Sequence, residues 1–357
     1  MDFLIVGGGA VGLASAQSLL QAGHRVTIIE RGVVGQEASW AGGGILSPLC
    51  PWDYRECVTQ LALRGMGMFR EAADLLYKAT GIETEYQRSG MLVLPPIQQE
   101  RVQQWCARHE FEAHPVSITD YLPAQSNKKY PGEGLLLPEV SQVRNPYLLS
   151  ALKAHVEMLG GIILEQHDAQ SFDSNGEQIT GLQTTHGRIT ADGYIVAAGA
   201  WSKVLLGEHS LNMDIRPILG QILLFKFDTP PFRQILLKEN LYFIPRRDGH
   251  VLVGSTLEDV GFNKHITVEA RENLLEQVHE IFPEWKNQLP IKHWAGLRPG
   301  SPENIPTIGR HPQLMNLYVN SGHFRYGVTM SLSSAEVLLN EIEGKTQPFS
   351  TDEYRWQ

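Results

Sequence analysis

FLIVGGGAVGLASAQSLLQAGHRVTIIERG, from Phe3 to Gly32, carries more architectural information than any other part of the chain. Phe3 to Val6 form a short apolar run of strand type, and Ala10 to Leu20 are small or apolar residues compatible with a helix that Gly23 stops. Arg25 to Ile29 hardly alternate in polarity, which predicts a buried parallel strand ending at the acid Glu30. Strand, helix and strand in this order make a βαβ unit. Its turn reads Gly7-x-Gly9-x-x-Gly12. The first glycine permits a tight turn, the second lets the backbone approach a pyrophosphate, and the third lets the helix pack on the strand. Unpaired N–H groups at the helix start then face the anion. Glu30 is placed to accept hydrogen bonds from an adenosine ribose and would repel a 2′-phosphate, so the pattern predicts FAD or NAD and argues against NADP. A glycine-rich turn with no ligand is the competing reading.

Two further glycine segments extend this beginning. EASWAGGGILSP, Glu37 to Pro48, places three consecutive glycines after the second strand, where they allow backbone to lie against a planar ligand; a flexible loop is the alternative. NSGHFRYGVTMSLSS, Asn320 to Ser334, opens a second helix, whose N-terminus would stabilise the negative charge on the pyrimidine side of a reduced flavin; an ordinary βα loop turning at Gly327 is the alternative. Between them the chain reads as mainly helical from about 60 to 108, broken by a strand at SGMLVLPP. Prolines and glycines thicken from Tyr130 to Pro138, a helix follows near Tyr147 to Leu159, and YIVAAG, Tyr194 to Gly199, is a deeply buried strand. QILLFKF, LYFIPRR and HVLVGST predict an antiparallel sheet, the last two joined by the hairpin dipeptide Asp248-Gly249. Leu274, Leu275, Val278, Ile281 and Phe282 lie on one face of an amphipathic helix.

WAGLRPGSP, Trp294 to Pro302, then sets Arg298 in what reads as an uncharged turn. A guanidinium keeps its proton in a protein, so Arg298 must face water, pair with a carboxylate or await an anionic ligand. The last dozen residues read as a loose tail.

Composition narrows the classes. With 357 residues, 42% apolar and 19% charged, the chain can bury a large core in two intertwined domains or one elaborate one. A net charge of -9 gives no general attraction to nucleic acid or anionic lipid. No apolar run reaches membrane-spanning length, and the apolar start lacks a basic leader. Cys50, Cys57 and Cys106 are an odd set without metal-site spacing, which predicts no metal and fits a reducing cytoplasm.

Taken in order, GGGAVGL, ERGVVGQEASWAGGGILSPL, VRNP, YIVAAGAWS, YFIPRRDGHVLVGSTLE, HWAGLRPGSPENIPTIG and GHFRYG resemble the D-amino-acid oxidase superfamily of flavoproteins, most closely the glycine oxidases of the bacterial thiamine pathway. The resemblance implies a Rossmann-like α/β domain that binds FAD, interleaved with an antiparallel-sheet substrate domain. The boundaries it implies are 1–80, 140–215 and 299–357 for the first and 81–139 and 216–298 for the second. It implies FAD held by Ala10 and Val11 beside Gly7, Gly9 and Gly12, by Glu30, Arg31, Ala38, Ser39, Gly43, Gly44 and Ile45, by Ala169 near the adenine, and by His323, Phe324, Arg325, Tyr326, Gly327, Val328 and Thr329 around the ring system. Arg298 matches the arginine that pairs with the substrate carboxylate, Tyr242 a tyrosine of the substrate pocket, and Arg325 lies nearby.

The implied reaction is oxidation of glycine, sarcosine or D-alanine by hydride transfer to the flavin, with oxygen as acceptor and no catalytic side chain. The family's GHFRNG loop is here GHFRYG, followed by VTMSLSS, so Tyr326 and Met330 depart from the pattern; Asn240 stands where some members carry His. His250, His293 and His323 lack a nucleophile partner and are assigned no catalytic role. The absence of any cysteine after Cys106 implies non-covalent FAD, unlike the monomeric sarcosine oxidases. A homotetramer completes what the resemblance implies, while the composition predicts a cytoplasmic protein with no nucleic-acid or membrane partner. A D-amino-acid dehydrogenase, a sarcosine oxidase-like enzyme and a flavin-binding module without oxidase activity remain alternatives.

Overall fold

Two sheets with different strand directions divide the work of the molecule, and the computed structural model describes them over residues 1–123, 126 and 132–356. The chain opens with strand β1 (Asp2–Val6), helix α1 (Ala10–Gln21) and strand β2 (Arg25–Ile29). Helix α2 (Ala38–Ala41), strand β3 (Ile45–Leu46) and the long helix α3 (Glu56–Thr80) follow, and Gly81 ends α3 in the left-handed region. Next come β4 (Met91–Val93), α4 (Gln99–His109), β5 (His114–Ser117) and β6 (Glu133–Leu137). The expected proline-glycine cluster lies partly outside the described residues, at 130 and 131. Strand β7 (Ser141–Gln142), helix α5 (Asn145–Met158) and strand β8 (Ile162–Leu164) lead to a small antiparallel sheet of β9 (Ala169–Ser174), β10 (Ile179–Thr184) and β11 (Gly187–Ile189).

Strand β12 (Gly193–Val196) and the short helix α6 (Ser202–Leu206) precede β13 (Arg216–Lys226), β14 (Ile235–Lys238), β15 (Leu241–Pro245) and β16 (His250–Gly254). Helix α7 (Val268–Ile281) starts at Thr267, whose hydroxyl accepts from the Ala270 N–H, and is followed by β17 (Lys292–Gly300). Strands β18 (Thr307–Arg310) and β19 (Leu317–Ser321) and helix α8 (Gly327–Glu343) close the chain.

The first sheet runs β18-β19-β12-β1-β2-β8, parallel except for β18. Leu4 pairs with both Tyr194 and Thr27, so β1 lies between β12 and β2. Side chains alternate across β1: Phe3 and Ile5 pack in the cluster that holds α1, α3, α5 and α8, whereas Leu4 and Val6 pack with residues of the β9–β11 sheet. Both faces are thus covered, which is why these strands lack polar alternation.

The second sheet runs β17-β13-β16-β15-β14-β4-β6-β5 and contains one parallel pair, β14 with β4. One face carries Leu223, Phe225, Phe243, Val251 and Val253 against α7 and Trp285. The opposite face presents Ile222, Tyr242 and Ile244 toward the first sheet's helices.

Two readings of the sequence need correction. WAGLRPG, Trp294 to Gly300, is strand rather than turn: it belongs to β17, with only Ser301 and Pro302 beyond it, and because β17 is an edge strand the ladder tolerates Pro299. Nor is the tail loose as far as Trp356, the last described residue. Tyr354 is fully buried and donates its hydroxyl proton to the Cys57 carbonyl, while Trp356 Nε1 donates to the Ser210 carbonyl at 3.2 Å. Two aromatic side chains with satisfied polar ends outweigh the polarity of the surrounding tail.

Candidate active site

A single long cavity runs from the β1–α1 turn to the face of the second sheet that looks away from α7. Its first wall is the glycine turn. Gly7 has φ +111, and a Cβ there would stand 2.4 Å from the Ala197 carbonyl oxygen; a Cβ on Gly12 would stand 2.0 Å from the Gly7 oxygen. These two glycines therefore let helix, turn and β12 approach one another. Gly7, Gly9 and Val11 line the cavity, whereas Ala10 and Gly12 stand behind its wall. The Ala10 N–H donates to Ser39 Oγ at 3.0 Å. Glu30 accepts from the N–H of Gly8 at 2.9 Å and of Gly32 at 3.0 Å. Its carboxylate braces the turn, and each oxygen keeps a lone pair for another donor. Arg31 lies 3.6 Å over the Trp201 ring and donates to Glu37 at 2.9 Å; Lys264 reaches the same carboxylate. Ala169 lines this end, beside His167, whose ring stacks on His186 at 4.2 Å.

The middle of the cavity is shaped by the 42–45 loop. Gly44 has φ +73, and a side chain on Gly43 would collide with Ile244 at 2.4 Å. From behind, Arg246 donates to the carbonyls of Gly43 and Val143 and to Gln142 Oε1, at 2.7, 2.9 and 2.8 Å. Burial pulls the pKa of this arginine down to about 10, and Arg144 adds to the effect. Asn145 donates to the carbonyls of Ser39 and Gly42 at 2.6 and 3.0 Å, and Thr329 donates to Ile45 at 3.0 Å. Across the cavity, residues 323–329 lead into α8. His323 is fully buried, and burial lowers its pKa to about 3, so the ring is neutral. The buried Nε2 of His323, Oδ1 of Asn145 and Oδ1 of Asn320 have no hydrogen-bond partner among the described residues, and all three residues line the cavity. Of the three histidines considered from sequence, only His323 reaches the cavity.

At the far end Arg298, Tyr242 and Arg325 come together. Arg298 donates from Nη2 to Ser255 Oγ at 2.6 Å and from Nη1 to the Thr256 carbonyl at 3.3 Å. Burial lowers its pKa from the ordinary value, Tyr242 opposes that shift and Arg325 reinforces it. Among the described residues no carboxylate is its partner. Arg325 donates to Asn240 Oδ1 at 3.1 Å, so a residue that departs from the family pattern holds the second cation. Tyr326 closes the wall, its hydroxyl paired with that of Tyr54 and the two rings perpendicular at 5.2 Å.

The family described as DAO, FAD dependent oxidoreductase, matches residues 2–340. The chain belongs to this family. A glycine oxidase of Pseudomonas aeruginosa is 38% identical over 349 residues, covering 96% of this chain and 94% of its own. A bifunctional protein ThiO/ThiG of Trichormus variabilis is 30% identical, covering 97% of this chain and 53% of its own length. In fold, the chain matches the crystal structure of glycine oxidase from Geobacillus kaustophilus with a TM-score of 0.92 at 23% identity, over 100% of this chain and 98% of that one.

This flavoenzyme's own residues fit FAD. The glycine turn and helix start can take the diphosphate, Glu30 the ribose, and the 42–45 and 323–329 segments the ring system. The unpartnered Asn145, Asn320 and His323 atoms offer polar contacts that the protein leaves open. Several lining residues had no role in the sequence reading. Asn145 sits in VRNP, Trp201 in YIVAAGAWS and Ser255 in HVLVGSTLE, so their segments resembled the family although the positions were unassigned. Gly220 carried no signal at all. Among the described residues no helix is long and apolar enough to cross a membrane.

Proposed function

We propose that this flavoenzyme deaminates glycine and other small amino acids, sarcosine and D-alanine among them, giving the 2-oxo acid, ammonia or an amine, and hydrogen peroxide. The observation that carries the reading is Arg298, a cation with no carboxylate partner among the described residues, at the end of the cavity opposite the nucleotide turn. Ser255, the Thr256 carbonyl and the Tyr242 hydroxyl take part of the fork, and its other donors are available to a substrate carboxylate. Tyr242 and Arg325 flank the same space and orient the substrate with it. Bound FAD supplies the two-electron chemistry and passes the electrons to oxygen. The protein's part is to hold the amino acid's Cα toward the ring site and keep water from it. In this reading FAD is bound non-covalently by the glycine turn, Glu30, Arg31, Ala38, Ser39, the 43–45 backbone, Ala169 and residues 323–329. Segments 81–139 and 216–298 make the substrate side, and the rest makes the cofactor side. The glycine oxidase and ThiO/ThiG relatives support this substrate class and a place in thiamine thiazole synthesis. The same resemblance supports a cytoplasmic homotetramer.

The test is peroxide formation by the FAD-loaded protein under air with glycine, sarcosine and D-alanine. Arg298→Lys should raise KM for glycine at least ~10-fold, a loss of about 1.4 kcal/mol. Turnover of none of the three substrates would overturn the reading, and an unchanged KM would remove Arg298 from the site.

A further inference from the structure

We infer that Gly220 and Ser255 are positioning residues that set the geometry of the Arg298 fork. The register of β13 on β17 places Ile218 opposite Arg298 and Gly220 opposite Gly296. Directly opposed residues share a face, and so do residues two apart, so Gly220, Gly296 and Arg298 all look into the cavity. A Cβ built on Gly220 would stand 2.1 Å from both Nη atoms of Arg298 and 2.2 Å from its Cζ. The guanidinium therefore lies flat on the Gly220 backbone, in the volume that any other residue would fill. Its edge is pinned there by Ser255 Oγ at 2.6 Å and the Thr256 carbonyl at 3.3 Å. Gly296 has a different job: its absent side chain admits Ala41 of α2, whose Cβ would be 2.5 Å away.

The requirement at Gly220 is steric rather than conformational. The residue lies inside β13 with no left-handed φ, so alanine suits its backbone. What an added methyl displaces is the end of a flexible side chain, which can move without disturbing the sheet. Gly220→Ala should thus leave the fold intact while lifting the guanidinium off its seat. A long flexible side chain held at three points loses little further freedom when it binds a planar carboxylate; once lifted, it must find that orientation anew.

The inference rests on the proposed function only for the identity of the carboxylate, so two measurements are paired. In the FAD-loaded enzyme, Gly220→Ala should raise KM for glycine by roughly 10-fold or more, with a smaller change in kcat, the size of one lost charge-assisted hydrogen bond. In the double variant with Arg298→Ala the two penalties should not add, because Gly220 acts through Arg298. The second measurement needs no substrate: phenylglyoxal modification of Arg298, followed by peptide mass analysis, should be faster in Gly220→Ala than in the native protein. Ser255→Ala, which removes a tether without crowding the site, should move both readouts in the same directions, and it serves if Gly220→Ala fails to fold. Altered phenylglyoxal reactivity in a protein that oxidises no amino acid would leave the seat standing and overturn the proposed function. Folded variants with native KM and native reactivity, or penalties that add in full, would overturn the seat.

Discussion

Tyr326 shows how a single unexpected residue acquires a structural partner. It immediately precedes α8 and is buried, its ring meeting Tyr54 edge to face and its hydroxyl pairing with the Tyr54 hydroxyl. The Leu49 N–H points at the same Tyr326 oxygen from 3.5 Å. Burial, and then Tyr54, raises the Tyr326 pKa well above its ordinary value, and burial also raises that of Tyr54, so both hydroxyls are neutral and one donates to the other. Removing one hydroxyl leaves its partner short of a bond in a largely buried place, whereas removing both leaves only the Leu49 N–H without its long contact to the Tyr326 oxygen. Tyr326→Phe and Tyr54→Phe should each cost about 1 kcal/mol of unfolding free energy, and the double variant distinctly less than their sum. Urea titration of the four proteins measures this; strict additivity would show that the hydroxyls do not support one another.

Among the elements, α1 and β17 mark the two extremes of what the sequence made legible. The β1–α1–β2 unit could be read because all its signals are local: an apolar run, glycines at fixed spacing, a small-residue helix and an acid at the end of the next strand. The packing agrees with the part given to Gly12, since its missing Cβ would fall 2.0 Å from the Gly7 oxygen. That neighbour is backbone and cannot swing aside. Gly12→Ala should therefore push α1 from the turn, costing roughly 1–3 kcal/mol of stability and weakening FAD binding by the apoprotein. Thermal melting and fluorescence titration with FAD would test it, and native values in both would show that the turn has slack. Strand β17 was illegible for the opposite reason. Its two glycines and proline imitate a turn, and the reasons for the glycines lie in α2 and β13 rather than beside them in sequence. The Tyr54–Tyr326 contact spans 272 positions and the β14–β4 pairing also joins distant segments; no local pattern announces either. The docked tail belongs with them, because burial of Tyr354 and Trp356 depends on surfaces supplied by α3 and by the 207–210 turn.

For the molecule as a whole, buried histidines link the fold to pH. His155, His311 and His323 are 5%, 2% and 1% exposed, and burial lowers the pKa of each below the ordinary 6.5, for His323 to about 3. Below pH 6.5 the unfolded chain protonates these rings while the folded chain resists, so the unfolded state binds more protons. Their contribution to stability is full above that pH and is lost as pH falls toward each folded value. For His323 the window runs from 6.5 down to about 3, and the loss between pH 7.5 and pH 5.0 is about 2 kcal/mol. A second window lies lower. Burial alone would raise the Asp248 pKa, but hydrogen bonds from His250 and Arg144 more than reverse this and hold it well below 3.8, so its contribution disappears only as the pH falls beneath that value. Most of the first window lies above the second. Urea unfolding of the apoprotein should therefore show a plateau above pH 7 and a decline by pH 5, where most carboxylates are still ionised. His323→Gln should flatten that decline by about 2 kcal/mol, since glutamine carries no proton to gain. If the variant declines as steeply as the native protein between pH 7.5 and 5.0, the folded structure admits a charged His323, and the cavity wall at the start of α8 is wetter than its burial implies.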